Sequence, residues 1–156
     1  MSTWAPRGHT PVLRHLLTRD HLSLIGGVTR DGRLVVHQQR PAINSAGATA
    51  FLDRLHAAIP GKLRVIWDGA SIHRSQVIRQ YLADGAARWL RLEALPGYAP
   101  ELNPAEGVWQ SLKQTELPNR SCTSLVDLES QADAALARIG ARPALIRAFF
   151  RHAGLS

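Results

Sequence analysis

The segment LRVIWDGASIHRS, residues 63–75, decides the fold prediction, because a short apolar run ends there at an acidic residue. Such a run is typical of a buried strand, and Asp68 follows its last residue directly. Downstream, LPGYAPELNPAEGVWQSLK, residues 95–113, passes from a loop into a helix, since Pro104 suits a first helical turn. Glu106 falls in that turn. The sequence therefore predicts one carboxylate at the end of a strand and another at the start of a helix.

Strand and helix signals alternate on both sides of these two segments. An Asp-Gly pair at Asp31 and Gly32 predicts a hairpin turn between the first two strands. This alternation predicts a mixed α/β sheet with helices on its faces, and ligands of such sheets bind at the carboxyl ends of strands. We predict strands over residues 21–29, 34–38, 63–67 and 89–92, and helices over residues 44–58, 75–83, 104–114, 124–139 and 143–151.

The charge balance favours a polyanionic partner. Lys and Arg total 19 against 12 for Asp and Glu, so the net charge is +7. Such an excess suits nucleic acid, although a basic surface that only keeps a protein soluble remains the alternative. The single cysteine excludes a disulfide framework and a cysteine-based zinc site. No signal peptide and no membrane-spanning run are recognisable, so we expect a cytoplasmic protein without a membrane partner.

The two carboxylates suggest metal chemistry. Carboxylate oxygens are hard ligands that suit Mg²⁺ or Mn²⁺. Two such ions about 4 Å apart can activate an attacking oxygen and stabilise a leaving oxygen in phosphodiester chemistry. Structural roles remain open, since an Asp after a strand often closes a turn and a Glu in a first helical turn complements the helix dipole.

These segments resemble the second and third conserved blocks of mariner-type transposases and their bacterial insertion-sequence relatives, the DDE superfamily. The residues that carry the resemblance are Asp68-Gly69-Ala70 with His73, and Tyr98-Ala99-Pro100-Glu101-Leu102-Asn103-Pro104 with Glu106, Trp109 and Lys113. The separation of 38 positions between Asp68 and Glu106 also fits that family. The resemblance implies one RNase H-like domain over residues 1–156, with additional helices at its C-terminal end.

The resemblance also implies roles for individual residues. Asp68 and Glu106 are expected to bind Mg²⁺ or Mn²⁺ for cleavage and strand transfer on double-stranded DNA, at transposon ends and target. Contacts to DNA are expected from His73, Arg74 and Lys113. Trp109 is expected to hold the helix that carries Glu106 in register, and Asn103 and Pro104 are expected to support the start of that helix.

The family pattern further implies an earlier aspartate, on a first strand that precedes TWAPRG, residues 3–8. The sequence contains no such strand, so we expect an incomplete domain that cleaves DNA weakly or not at all by itself. Asp20 and Asp31 are the acidic residues near the start, but Asp31 falls in the predicted turn and Asp20 precedes a strand. The alternative function is a non-catalytic DNA-binding or dimerisation module that pairs with itself or with a full-length transposase.

Overall fold

The computed structural model describes residues 21–40, 42–68, 70, 74–97, 99–117 and 124–155. In these residues, strands and helices alternate in the predicted order. The strands are β1 (Ser23–Val28), β2 (Leu34–Gln39), β3 (Leu63–Trp67) and β4 (Leu90–Ala94), and the helices are α1 (Ser45–Ala58), α2 (Gln76–Ala83), α3 (Ala105–Ser111), α4 (Leu125–Gly140) and α5 (Pro143–His152).

The strands β1 and β2 form the predicted antiparallel hairpin. In its turn, the backbone N–H of Thr29 donates to the carbonyl of Arg33 at 3.0 Å, and Gly32 adopts a left-handed φ of 97°. The hydroxyl of Thr29 donates to Asp31, and with the nearby Arg33 guanidinium it holds the pKa of Asp31 below its usual value. Asp31 is therefore a turn residue, as the Asp-Gly signal predicted.

The strands β3 and β4 pair in parallel, with Leu63 opposite Leu90 and Trp67 opposite Ala94. Parallel neighbours require a crossover connection, and α2 supplies it. Among the described residues, these two pairs remain separate two-stranded sheets.

Two apolar clusters place helices on opposite faces of the β1–β2 pair. The first joins Phe51, Leu52 and Leu55 of α1 to Val35 of β2, and Ile25 of β1 packs against it. The second cluster joins α3 to α4, and residues of β1 and β2 that alternate with those of the first cluster pack against it. Its buried members are Val108, Leu112, Ala135, Leu136 and Ile139. Alternate residues of a strand face opposite sides, so β1 lies between two helical layers.

Side chains cap the predicted helix starts. Asn44 accepts from the N–H of Gly47 at 2.9 Å, and Ser124 accepts from that of Asp127 at 3.0 Å. The structure departs from the predictions mainly after β4. The expected loop over residues 96–103 contains a 3₁₀ turn at Pro100–Leu102, and α3 continues as a π-helical segment, Leu112–Glu116.

No helix in the described ranges is long and apolar enough to span a membrane.

Candidate active site

Asp68 follows β3 directly and is exposed. Its Oδ1 atom accepts a hydrogen bond from the backbone N–H of Ala70 at 3.1 Å. This is the local turn that a short carboxylate forms two residues upstream of its donor. Asp68 thus has a structural contact, and it also lies at the strand end where the family motif requires an acidic residue.

Glu106 is held by the start of α3. The side chain of Asn103 accepts from the N–H of Ala105 at 3.1 Å, and its carbonyl accepts from the N–H of Glu106 at 3.0 Å. Pro104 precedes the helix with φ near −64°, a value that its ring already imposes. Glu106 is exposed in this first turn, which has no other acidic residue.

The structure brings Asp68 and Glu106 to the same cavity. They border a space of about 480 Å³, together with Asn103, Pro104 and Trp109. The rest of its lining comes mainly from β1, β3 and α1. Both acidic residues thus border one cavity, while their convergence as metal ligands stays a prediction.

The donor set fits a hard divalent cation in kind, because both groups are carboxylates beside one open space. In number it is small. Among the described residues, no group of three or more His, Cys, Asp or Glu side chains is placed to hold a metal ion. A two-metal centre needs more oxygen ligands than two carboxylates supply.

The residues expected to contact DNA are not gathered at this cavity. Arg74 is exposed just before the Ser75 cap of α2, and Lys113 is exposed in the π-helical segment. Neither borders the cavity. His73 lies outside the described residues.

Trp109 fixes α3 against β1. A Cβ atom built on Gly26 would lie 2.8 Å from Cη2 of Trp109, so the indole packs directly on the backbone of the strand. The same tryptophan packs against the cluster of α3 and α4. These contacts agree with the expected structural role of Trp109, which stays a prediction.

A family model described as DDE superfamily endonuclease matches residues 1–129 of the chain. The chain belongs to the DDE superfamily endonuclease family. The resemblance inferred from the two motifs is thereby confirmed. A search of curated proteins finds no match.

The fold of this DDE superfamily chain is also similar to that of a solved structure, titled as the crystal structure of the Mos1 strand transfer complex. The TM-score is 0.56 at 16% sequence identity, over 95% of this chain. The chain spans 49% of the length of that one. The likeness confirms the predicted RNase H-like mixed α/β fold.

Two features of this DDE domain were not predicted from its sequence. Gly26 and Gly27 interrupt an apolar strand, which is a signal of close backbone approach, and they lie against Trp109 and Phe51. Two arginines that charge alone would assign to phosphate instead lie beside Glu93. The Nε atoms of Arg64 and Arg91 are 3.5 Å and 2.9 Å from Oε1 of Glu93. The cavity itself could not be inferred, because it depends on the spacing between two sheets.

Proposed function

We propose that the chain is the catalytic core of a DNA transposase, which cuts double-stranded DNA at transposon ends and joins the ends to target DNA. The observation that carries this proposal is the position of Asp68 and Glu106 on one cavity in a member of the DDE endonuclease family. The protein would act on this DNA in the cytoplasm of a bacterium. A second copy or a full-length transposase would be the protein partner.

Asp68 and Glu106 would hold Mg²⁺ or Mn²⁺ beside this cavity. A cation held there would lower the pKa of the attacking hydroxyl or water and neutralise charge on the transferring phosphate. Asn103 fixes the first turn of α3 and so sets where Glu106 projects. Trp109 holds the same helix against β1. No side chain forms a covalent bond to DNA in this scheme.

Exposed cations would bind the DNA backbone. Arg74 precedes α2 and Lys113 follows α3, so the two basic side chains belong to the two motifs that carry the acidic ligands. Both are long and exposed, which suits contact with phosphate rather than with buried groups. His73 would add a third contact beside Arg74.

The chain alone would cleave DNA weakly or not at all. The described residues bring only two carboxylates to the cavity, and no group of three potential ligands exists among them. With so few ligands, one metal would bind loosely and a pair would not be fixed at the distance that phosphodiester chemistry requires.

Metal binding tests the proposal without requiring cleavage. We expect titration of the 156-residue chain with Mn²⁺, followed by electron paramagnetic resonance, to give a weak site. Asp68→Asn and Glu106→Gln should each weaken this site at least about tenfold, because each removes a charged oxygen ligand. Glu101→Gln is the matched control, since Glu101 is exposed in the same motif but does not border the cavity. Mn²⁺ affinity that is unchanged in both test variants would contradict the assigned ligands.

The second candidate function is a non-catalytic DNA-binding or dimerisation module. The net charge of +7 and the absence of a three-ligand group in the described part of the chain favour it. DNA binding that weakens with salt but is unchanged in Asp68→Asn and Glu106→Gln, in a chain without an Mn²⁺ site, would support this module over the catalytic core.

A further inference from the structure

The helix α5 carries a strongly basic surface beside the helix that bears Glu106. Residues 134–156 contain four arginines and no Asp or Glu. Two of these arginines, Arg147 and Arg151, are exposed on α5. We propose that they form, with Arg30 of the β1–β2 turn, a contact surface for the phosphate backbone of duplex DNA, which we call the α5 surface. This proposal rests on the proposed function, because it takes DNA as the partner, and it adds a surface outside the two sequence motifs.

The β1–β2 turn packs directly on the first residue of α5. A Cβ atom built on Gly32 would lie 2.8 Å from the Cβ atom of Pro143, so the turn and the helix are in direct contact. Nη1 of Arg147 donates to the backbone carbonyl of Asp31 at 3.2 Å, across 116 positions of sequence. These contacts place Arg147 beside the turn that carries Arg30.

The later part of α5 lies against α3. A Cβ atom built on Gly107 would lie 2.5 Å from Cδ1 of Phe149, so the phenyl ring packs on the backbone of α3 at the residue after Glu106. Arg151 follows Phe149 by two positions. Because a helix rises about 1.5 Å per residue, Arg147 and Arg151 are about 6 Å apart along its axis. The α5 surface therefore runs from the hairpin turn toward the first turn of α3.

Both arginines of α5 project from the side of the helix that faces away from the core. Residues four positions apart share a side of a helix, so Arg147 and Arg151 can contact the same partner. The opposite side is apolar, since Ile146 is fully buried and Phe149 packs against the cluster of α3 and α4. An arginine side chain presents its donors in a planar fork that matches the oxygens of a phosphate group.

The acidic residue of the turn does not neutralise the α5 surface. Asp31 forms an ion pair with Arg33 at 2.9 Å. The hydrogen bond from Thr29 and the charge of Arg33 hold the pKa of the Asp31 carboxyl below its usual value. The negative charge is thus balanced within the turn. Among the described residues, the three arginines of the α5 surface form no ion pair with an acidic side chain.

Charge complementarity identifies the partner as a long polyanion. The end of a helix favours cations, and this accounts for Arg151 in the last turn of α5. It does not account for Arg147, which lies in the middle of the helix, or for Arg30 in the turn. A DNA duplex supplies closely spaced phosphates, and each cation that contacts one releases counterions. One backbone can therefore satisfy all three arginines.

The salt dependence of DNA binding tests the α5 surface on the 156-residue chain. Fluorescence anisotropy with a labelled duplex gives the slope of log affinity against log salt concentration. We expect Arg147→Gln/Arg151→Gln to reduce the magnitude of this slope by about 1.8, which is twice the value for one phosphate contact. Arg30→Gln should reduce it by about 0.9. A slope that is unchanged in the double variant would overturn the proposal.

A charge-matched control lies in the other helical layer. Arg54 of α1 and Arg79 of α2 are exposed, and α1 packs on the face of the β1–β2 pair opposite to α3. Arg54→Gln/Arg79→Gln removes two positive charges but should change the slope by less than about 0.5. Equal reductions in the two double variants would mean that net charge alone governs binding, and would contradict a contact surface on α5.

A conservative variant separates lost charge from disturbed structure. Arg147→Lys/Arg151→Lys keeps both charges, so its slope should stay within about 0.5 of that of the parent chain. Circular dichroism checks that the glutamine and lysine variants are equally helical. A slope as low in the lysine variant as in the glutamine variant would show that α5 itself is disturbed, and would count against phosphate contacts.

The α5 surface and the proposed metal ligands fail in different measurements. Mn²⁺ binding should be the same in the parent chain and in Arg147→Gln/Arg151→Gln. An intact Mn²⁺ site with the parent slope in that variant would overturn the α5 surface alone. A reduced slope there, together with Mn²⁺ binding that Asp68→Asn and Glu106→Gln leave unchanged, would overturn the metal ligands alone. Weaker binding of the variant to phosphatidylserine vesicles, with an unchanged DNA slope, would assign the surface to a membrane and reject DNA as its partner.

Discussion

At the scale of single residues, glycine positions in β1 determine how closely helices approach the sheet. Gly26 receives the indole of Trp109, and Gly27 lies 3.3 Å, measured from a built Cβ, from the ring of Phe51. A strand normally avoids glycine, which packs no side chain and loses more entropy on folding. Here the missing side chains allow aromatic rings from both helical layers to contact the backbone.

We therefore expect Gly26→Ala to destabilise the protein by about 1–3 kcal/mol, because the added methyl group would overlap Trp109 in a packed region. The measurement is the free energy of unfolding in urea. Gly97→Ala is the control, since nothing lies within 4 Å of a Cβ at that position, and it should change stability by less than about 0.5 kcal/mol. Equal effects at the two sites would show that Trp109 does not rest on Gly26.

Tyr81 gives a prediction about alkaline pH. Burial raises the pKa of its phenol, and the hydroxyl also donates to the Asp53 carboxylate at 2.5 Å. The folded state thus keeps its proton to higher pH than the unfolded state, in which the phenol ionises near pH 10. The contribution to stability is complete below pH about 10 and is lost as the pH rises above that value.

We expect the free energy of unfolding to fall less steeply above pH about 10 in Tyr81→Phe than in the parent chain. Denaturant titrations across this range measure the two slopes. Identical slopes would mean that the phenol titrates alike in the folded and unfolded states.

At the scale of elements, polar side chains cap the first residues of three predicted helices, at Asn44, Ser75 and Ser124. Ser124 was predicted to start a helix, and its hydroxyl accepts from the N–H of Asp127. Ser124→Ala should cost about 1 kcal/mol of stability, because it leaves that amide without its partner. Ser130→Ala, at an exposed interior position of α4, should be neutral or slightly stabilising in the same urea titration. A larger loss at Ser130 would contradict the assigned cap.

The predicted bounds of β3, residues 63–67, match the structure. Gly61, two residues before the apolar run LRVIW, and Asp68, directly after it, mark where the run begins and ends. The parallel pairing with β4 was not predicted, since periodicity shows that a strand exists but not which strand lies beside it. The π-helical segment after α3 was also missed. Its local sequence, LKQTE, is as compatible with an α-helix, so only the structure, in which Leu112 packs against α4, shows the wider turn.

At the scale of the whole molecule, the sequence predicted that two acidic positions would meet, because both follow or precede elements at one edge of a sheet. It could not predict the space between β1 and β3. Residues of β1, β3, α1 and α3 all contribute to its lining. The distance between two sheets depends on tertiary packing, and no periodic pattern in the sequence indicates it.

The excess of positive charge makes a prediction for DNA binding. If the net charge of +7 serves a polyanion, binding to a DNA duplex should weaken steeply between about 50 and 200 mM salt, because counterions are released from each neutralised phosphate. Fluorescence anisotropy with a labelled duplex measures the slope of log affinity against log salt concentration. An affinity that does not change with salt would exclude a phosphate-binding surface.

Cations that do and do not form an ion pair among the described residues should differ in the slope of this salt titration. Arg74→Ala and Lys113→Ala should each reduce the magnitude of the slope by about 0.9, the value for one lost phosphate contact. Arg138→Ala removes the same charge, but Arg138 donates to Glu116 at 2.7 Å and so is occupied within the protein. The salt dependence of DNA binding by Arg138→Ala should therefore have the same slope as that of the parent chain. If all three variants shift the slope equally, net charge alone governs binding, and neither Arg74 nor Lys113 is a specific contact with the DNA backbone.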